Sequence, residues 1–228
     1  GYHVSSVHRI FVQALAKREA LGDNLGKRST EFGRIKGEVS SGCYDLGNGH
    51  NLIWAGRSNP SVAPLSESEA RLTQEFGAAK VEWMLRRGRN LFLFPNLLLM
   101  DQSSTQIRVF RPLSPDRTEV RVYCVAPKGE SRESRIARLR KFEDFFMVTG
   151  MATPDDLAAL EDCQIGSLGT DARWSGMERG LSELINGPDK LAQALGAEVV
   201  SSAKRWDHET LYHGYLRRWA ECMNSHAG

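Results

Sequence analysis

At 228 residues, 41% hydrophobic and 25% charged, the chain has the composition of an ordinary globular protein and the length to bury one sizeable core. A formal charge of +2 argues against a nucleic-acid surface built on a broad basic field, and the longest apolar run, Leu91 to Met100, is broken by Pro95 and Asn96 and too short to span a bilayer. The four cysteines (Cys43, Cys124, Cys163 and Cys222) have no C-x-x-C spacing, so they read as reduced thiols of a cytosolic protein rather than a disulfide frame or zinc knuckle.

In chain order, Val4 to Leu21 has a helical period through Val7, Ile10, Phe11, Ala14 and Leu15, with Gly22 as its stop. From Ile35 the texture becomes that of a hairpin turning at Gly47-Asn48-Gly49, where positive φ is cheap. Ser66-Glu67-Ser68-Glu69 reads as a capping box opening a helix with Ala70, Leu72, Phe76 and Val81 inward. Leu91 to Met100, Ile107 to Phe110 and Thr118 to Ala126 follow as strands. A helix over Glu130 to Phe146 turns Ile136, Leu139, Phe142 and Phe146 to the core. Its arginines are interleaved with Glu130, Glu133, Glu143 and Asp144, as on a solvated face. Helices are expected again at Pro154 to Cys163, Met177 to Leu184, Asp189 to Leu195 and Asp207 to Met223. A run of antiparallel strands between helices means α+β, and the absence of repeats means a single domain over 1–228.

Chemistry is suggested first by His3 and His8. Neutral imidazole is the commonest nitrogen ligand for iron, zinc and copper. Five residues on an ideal helix set two side chains roughly 140° apart, so the pair fits a site only at a helix end or a bend. A carboxylate could come from Asp155 or Asp156, yet Thr153-Pro154-Asp155-Asp156 is equally well explained as a helix start: cap, first-turn proline, and acids that suit the dipole. His208 and His213 repeat the five-residue spacing but lack the H-E-x-x-H pattern, and they read as capping or surface residues; His50 and His226 have no evident partner.

Taken together, Gly1 to His8, Arg89 to Asn96, Met100 to Gln102, Gln106 to Val109, Thr118 to Val120, Ala126 to Ser131 and Phe145 to Leu157 resemble, in order and spacing, one family. It is the catalytic domain of the large (α) subunit of Rieske-type aromatic-ring-hydroxylating dioxygenases, in the branch acting on benzoate, toluate and anthranilate. The resemblance implies a helix-grip fold, a curved antiparallel sheet wrapped by helices around a mononuclear iron site. It implies Fe(II) held by His3, His8 and Asp156, with Asp155 at the helix start or behind the ligands, and Asn90, Met100, Phe146 and Ala152 beside the substrate. The family's Rieske [2Fe–2S] domain has no counterpart here. That absence, together with a first residue that is not Met, makes the chain read as a C-terminal fragment, able to bind iron but not to turn over alone.

The function expected from the resemblance is NADH- and O₂-dependent cis-dihydroxylation of an aromatic carboxylate. The implied partners are a small β subunit, other α subunits (α3β3) and a reductase, reached directly or through a ferredoxin, all in the cytoplasm with no membrane or nucleic acid. A buried substrate carboxylate needs a cationic partner, for which Arg89 and Arg108 are the candidates. Two alternatives stand beside it: ring monohydroxylation by the same iron, and a metal-free helix-grip carrier of apolar ligands.

Overall fold

A computed structural model describes residues 7–9, 13, 14, 17, 20, 34, 35, 38–57, 60–102, 104–171 and 174–225. His3 and His226 lie outside the described residues. Of the helix expected over Val4 to Leu21, Arg9, Gln13, Ala14, Lys17 and Ala20 are helical, and Val7-His8 is a turn at its entry.

Among the described residues, beyond a two-residue pair, β1 (Arg34–Ile35) with β2 (Glu38–Val39), the strands form an antiparallel sheet of eight. Its members are β3 (Ser41–Gly47), β4 (His50–Gly56), β5 (Arg87–Leu93), β6 (Leu97–Asp101), β7 (Thr105–Ser114), β8 (Arg117–Cys124), β9 (Ile185–Asn186) and β10 (Ser201–Ala203). They run in the order β8-β7-β6-β5-β4-β3-β10-β9, a meander closed by the late strands. The β3–β4 turn is the expected one, with Gly47, Asn48 and Gly49 all at positive φ.

Leu91 to Met100 is not one strand. Pro95 offers no N–H to a ladder, and Phe94-Pro95-Asn96 turns the chain so that β5 and β6 form a hairpin; the Phe94 amide donates to His50 Nδ1 at 2.9 Å, giving that histidine its partner. The helix expected after Ser66 is likewise divided. A 3₁₀ turn (Ser66–Ser68) leads into α1 (Glu69–Phe76), and Gly77, at φ +81°, breaks it from α2 (Ala78–Arg86). Leu72 and Val81 are buried as expected, but Phe76 and Ala70 are exposed. No capping box forms, and Glu67 instead accepts from the Ser131 amide and from the hydroxyls of Ser131 and Ser134, tying down the start of α3 (Arg132–Phe146). On α3 only Phe146 is buried; Ile136 and Leu139 are exposed. Helices α4 (Thr153–Gly166), α5 (Lys190–Leu195) and α6 (His213–Asn224) complete the chain. Met177 to Leu184 holds only a 3₁₀ turn at Leu181–Glu183, and Asp207 to Met223 is a 3₁₀ turn (Glu209–Tyr212) followed by α6.

Side chains alternate across the sheet, so two faces follow from the register. On one, Tyr44 and Trp54 pack with Trp83 of α2 and Ala192 of α5. Paired Arg89 and Asp101 share this face, and Asp101 also holds Arg57. On the other, Cys43, Ile53 and Ala203 pack under Leu211, and Tyr215 of α6 meets the rings of Phe92 and Phe94. Asn90, Met100 and Gln106 form one rung of this second face, with Arg108 one rung further.

Candidate metal centre

The turn between α3 and α4 carries the site. Helix α3 ends at Phe146; the Ala152 amide returns to the Phe145 carbonyl at 3.1 Å, the Met151 amide to Asp144 at 2.9 Å. A Cβ at Gly150 would come within 2.7 Å of the Phe145 carbonyl, so only glycine allows this close return. Thr153 is not the helix cap. Its hydroxyl donates to the Phe146 carbonyl at 2.8 Å, and Ala152, fully buried, occupies the capping position with no side-chain bond. Pro154, Asp155 and Asp156 make the first turn of α4, as the sequence pattern requires.

Both aspartates reach His8. His8 is 2% exposed, with Nε2 3.1 Å from Asp156 Oδ1 and Nδ1 3.6 Å from Asp155 Oδ2. The second distance is too long for a hydrogen bond but leaves a carboxylate beside the far ring nitrogen. Phe145 meets the imidazole edge-on at 5.7 Å between ring centres, and Phe146 meets Phe145 at 4.6 Å. The pair therefore sits behind an aromatic wall.

The donors suit a metal ion. Ligand atoms about 2.1 Å from one ion and at right angles lie about 3.0 Å apart, close to the 3.1 Å between His8 Nε2 and Asp156 Oδ1. A ligating histidine ordinarily has its other nitrogen against a carboxylate, which is where Asp155 stands. Among the described residues no group of three His, Cys, Asp or Glu side chains is arranged to hold a metal, and His3, the third expected ligand, falls outside them.

The predicted substrate residues divide between the α3–α4 turn and the sheet. Phe146 and Ala152 are buried in the α3–α4 turn, while Asn90 and Met100 are paired neighbours on the sheet face that Phe146 approaches. The two candidate arginines separate. Arg89 lies on the opposite face, bonded to the Asp101 carboxylate and to the Met84 carbonyl at 3.3 Å, and so is removed from the site. Arg108 lies 5.0 Å from the Phe146 ring centre and feels the charge of Asp156.

Phe145 and Gln106 were not anticipated. Gln106 could have been found by parity, since in a strand it shares a face with Arg108. A cavity of about 520 Å³ lies across the sheet, between Trp83, Leu91, Leu99 and Ile107, with Arg89 and Asp101 also on its lining. It does not adjoin His8. His208 and His213 stay structural: His208 is buried at the head of the Glu209–Tyr212 turn, and His213 Nε2 is 2.7 Å from the Met177 carbonyl. No described helix is long and apolar enough to cross a membrane.

Residues 1–225 match the family described as the ring hydroxylating alpha subunit, catalytic domain. The 2-halobenzoate 1,2-dioxygenase large subunit of Burkholderia cepacia is 40% identical over 223 residues, covering 98% of this chain and 48% of that protein. The toluate 1,2-dioxygenase subunit alpha of Pseudomonas putida is 41% identical over 226 residues, with the same coverage of each. The anthranilate 1,2-dioxygenase large subunit of Acinetobacter baylyi is 39% identical over 225 residues, covering 96% of this chain and 48% of that protein. The chain thus spans about half the length of the relatives it matches. Among solved structures, naphthalene 1,2-dioxygenase from Rhodococcus sp. bound to indole superposes with a TM-score of 0.76 at 17% identity, over 100% of this chain and 52% of that one, a likeness of fold.

Proposed function

The chain belongs to the family of ring-hydroxylating α subunits, whose catalytic domain it matches, and on that footing we propose that it is the catalytic domain of an oxygenase acting on an aromatic carboxylate. The observation that carries the reading is the approach of Asp156 Oδ1 to 3.1 Å from Nε2 of the buried His8, Asp156 being carried there by a turn that only a glycine permits. In this reading His3, His8 and Asp156 would hold Fe(II) through two imidazoles and one carboxylate. Asp155, 3.6 Å from Nδ1, would place its negative charge behind the His8 ring, as carboxylates behind metal-bound histidines do. Iron bound there supplies the redox chemistry by which O₂, with two electrons from NADH and two protons, adds to adjacent ring carbons as a cis-diol.

The chain's own residues bind and orient. Phe145 and Phe146 exclude water from the histidine, and Asn90, Met100, Phe146 and Ala152 shape a slot for the ring. The three relatives are named for halobenzoate, toluate and anthranilate, all benzoates, so a benzoate is the proposed substrate class. Residues 1–228 form one domain of the α subunit in this reading. Electrons arrive from a reductase, directly or through a ferredoxin, by way of a Rieske [2Fe–2S] cluster outside this chain. A small β subunit and further α subunits (α3β3) complete a cytoplasmic enzyme.

The test is iron content and NADH-driven diol formation by the complete oxygenase, wild type beside Asp156→Ala, supplied with benzoate and anthranilate. Loss of mononuclear iron and of product, with the Rieske spectrum intact, is expected. A variant that keeps both returns Asp156 to the helix start. A wild-type enzyme without mononuclear iron overturns the reading as a whole.

A further inference from the structure

Arg108 is placed like a residue waiting for an anion. It projects from β7 on the same face as Gln106, which is 1% exposed. The Arg108 Nε–H donates to Gln106 Oε1 at 3.0 Å, and the guanidinium lies over the Phe146 ring. Among the described residues Arg108 forms no ion pair, and the Gln106 Nε2 amide, fully buried, has no hydrogen-bond partner. Burial, the larger influence, pulls the arginine below its ordinary value, and the Asp156 charge offsets it only partly. A desolvated guanidinium with a neutral partner, next to an unsatisfied amide, costs the fold stability that a bound carboxylate would restore.

We propose that Arg108, braced by Gln106, anchors the carboxylate of the aromatic substrate. With Nε engaged, both terminal nitrogens remain for the two-pronged grip that guanidinium makes on carboxylate, and the Gln106 amide adds a third donor. Phe146 stacks on this cation and, through Phe145, adjoins His8, so the anchor and the histidine flank the same pair of rings. The inference rests on the oxygenase reading above and adds to it which residue selects the acid.

The test is anaerobic calorimetry of benzoate and of its neutral isostere benzamide on the complete oxygenase. Wild type should prefer benzoate. Arg108→Met should weaken benzoate roughly 10- to 100-fold and bring the two ligands near parity, while Arg108→Lys, which keeps a charge but not the fork, retains part of the preference. Steady-state assays should find the loss in KM more than in kcat. Wild-type benzoate affinity and preference in Arg108→Met overturn the anchor and leave the oxygenase standing. A wild-type enzyme that binds and oxidises no benzoate overturns both. If Arg108→Met does not assemble, Gln106→Leu decides: benzoate affinity falls severalfold if the brace is real, and an unchanged value overturns it.

Discussion

Arginines on the two faces of the sheet are treated differently. On the face covered by α2, Arg89 and Arg57 share the carboxylate of Asp101, and Arg57 also donates to the carbonyls of Leu85, Asp101 and Gln102. Arg87 pairs with Glu82 at 3.1 Å and lies over the rings of Trp54 and Trp83. On the His8 face, Arg108 has an amide and a phenyl ring. Among the described residues, the arginines of the first face are ion-paired, whereas Arg108 has no ion pair and only the charge of Asp156 nearby. Rigidity is thus concentrated behind the sheet, and chemical demand in front of it.

Asp101→Ala is the largest blow to this contrast. It leaves Arg57 and Arg89 together without a counter-charge and should cost about 3–5 kcal/mol in denaturant titration, whereas Arg108→Met, which breaks no ion pair and loses one hydrogen bond to Gln106, should cost about 1 kcal/mol. Equal losses would erase the distinction between the faces. Next comes Gly150→Ala, whose added methyl meets the Phe145 carbonyl. About 1–3 kcal/mol should be lost, and iron content should fall with it because the turn carries Asp156; normal iron would show that the turn has slack.

The smallest effect concerns the core of the His8 face. There burial first, and then the Asp207 charge, push the Cys43 thiol up to about 12. A pKa raised on folding favours the native state fully below the unfolded value near 9, and that contribution fades as pH climbs from there towards 12. Cys43 should therefore resist alkylation at pH 8 while exposed Cys163 reacts. Comparable rates would mean that this core opens readily.

Local pattern carried the hairpin at Gly47 to Gly49 and the first turn of α4, because both depend on neighbours in sequence. It failed where one backbone atom decided the outcome: at Gly77, where positive φ divides a helix, and at Phe94-Pro95, where an apolar run folds back on itself. The site lay further from reach. His8 and Asp156 meet across most of the chain, and Thr153 looked like the cap of a helix whose acids needed no other purpose. Family resemblance, not spacing, singled out Asp156. Alternation alone could have settled the arginines, since Arg89, adjacent in a strand to Asn90, must face away from whatever Asn90 faces, while Arg108 shares its side with Gln106.

The turn at Gly150 ties two duties to one piece of backbone. Phe145 and Phe146 accept the hydrogen bonds that hold Ala152 and Thr153, three or four residues before Asp156. Enlarging the proposed slot from this side would move the proposed metal ligand Asp156 with it. Asn90 and Met100, on strands stabilised from behind, carry no such burden. Divergence toward new ring shapes therefore has an open route through the sheet and a constrained one through the helices, and evolving populations should explore the first long before the second.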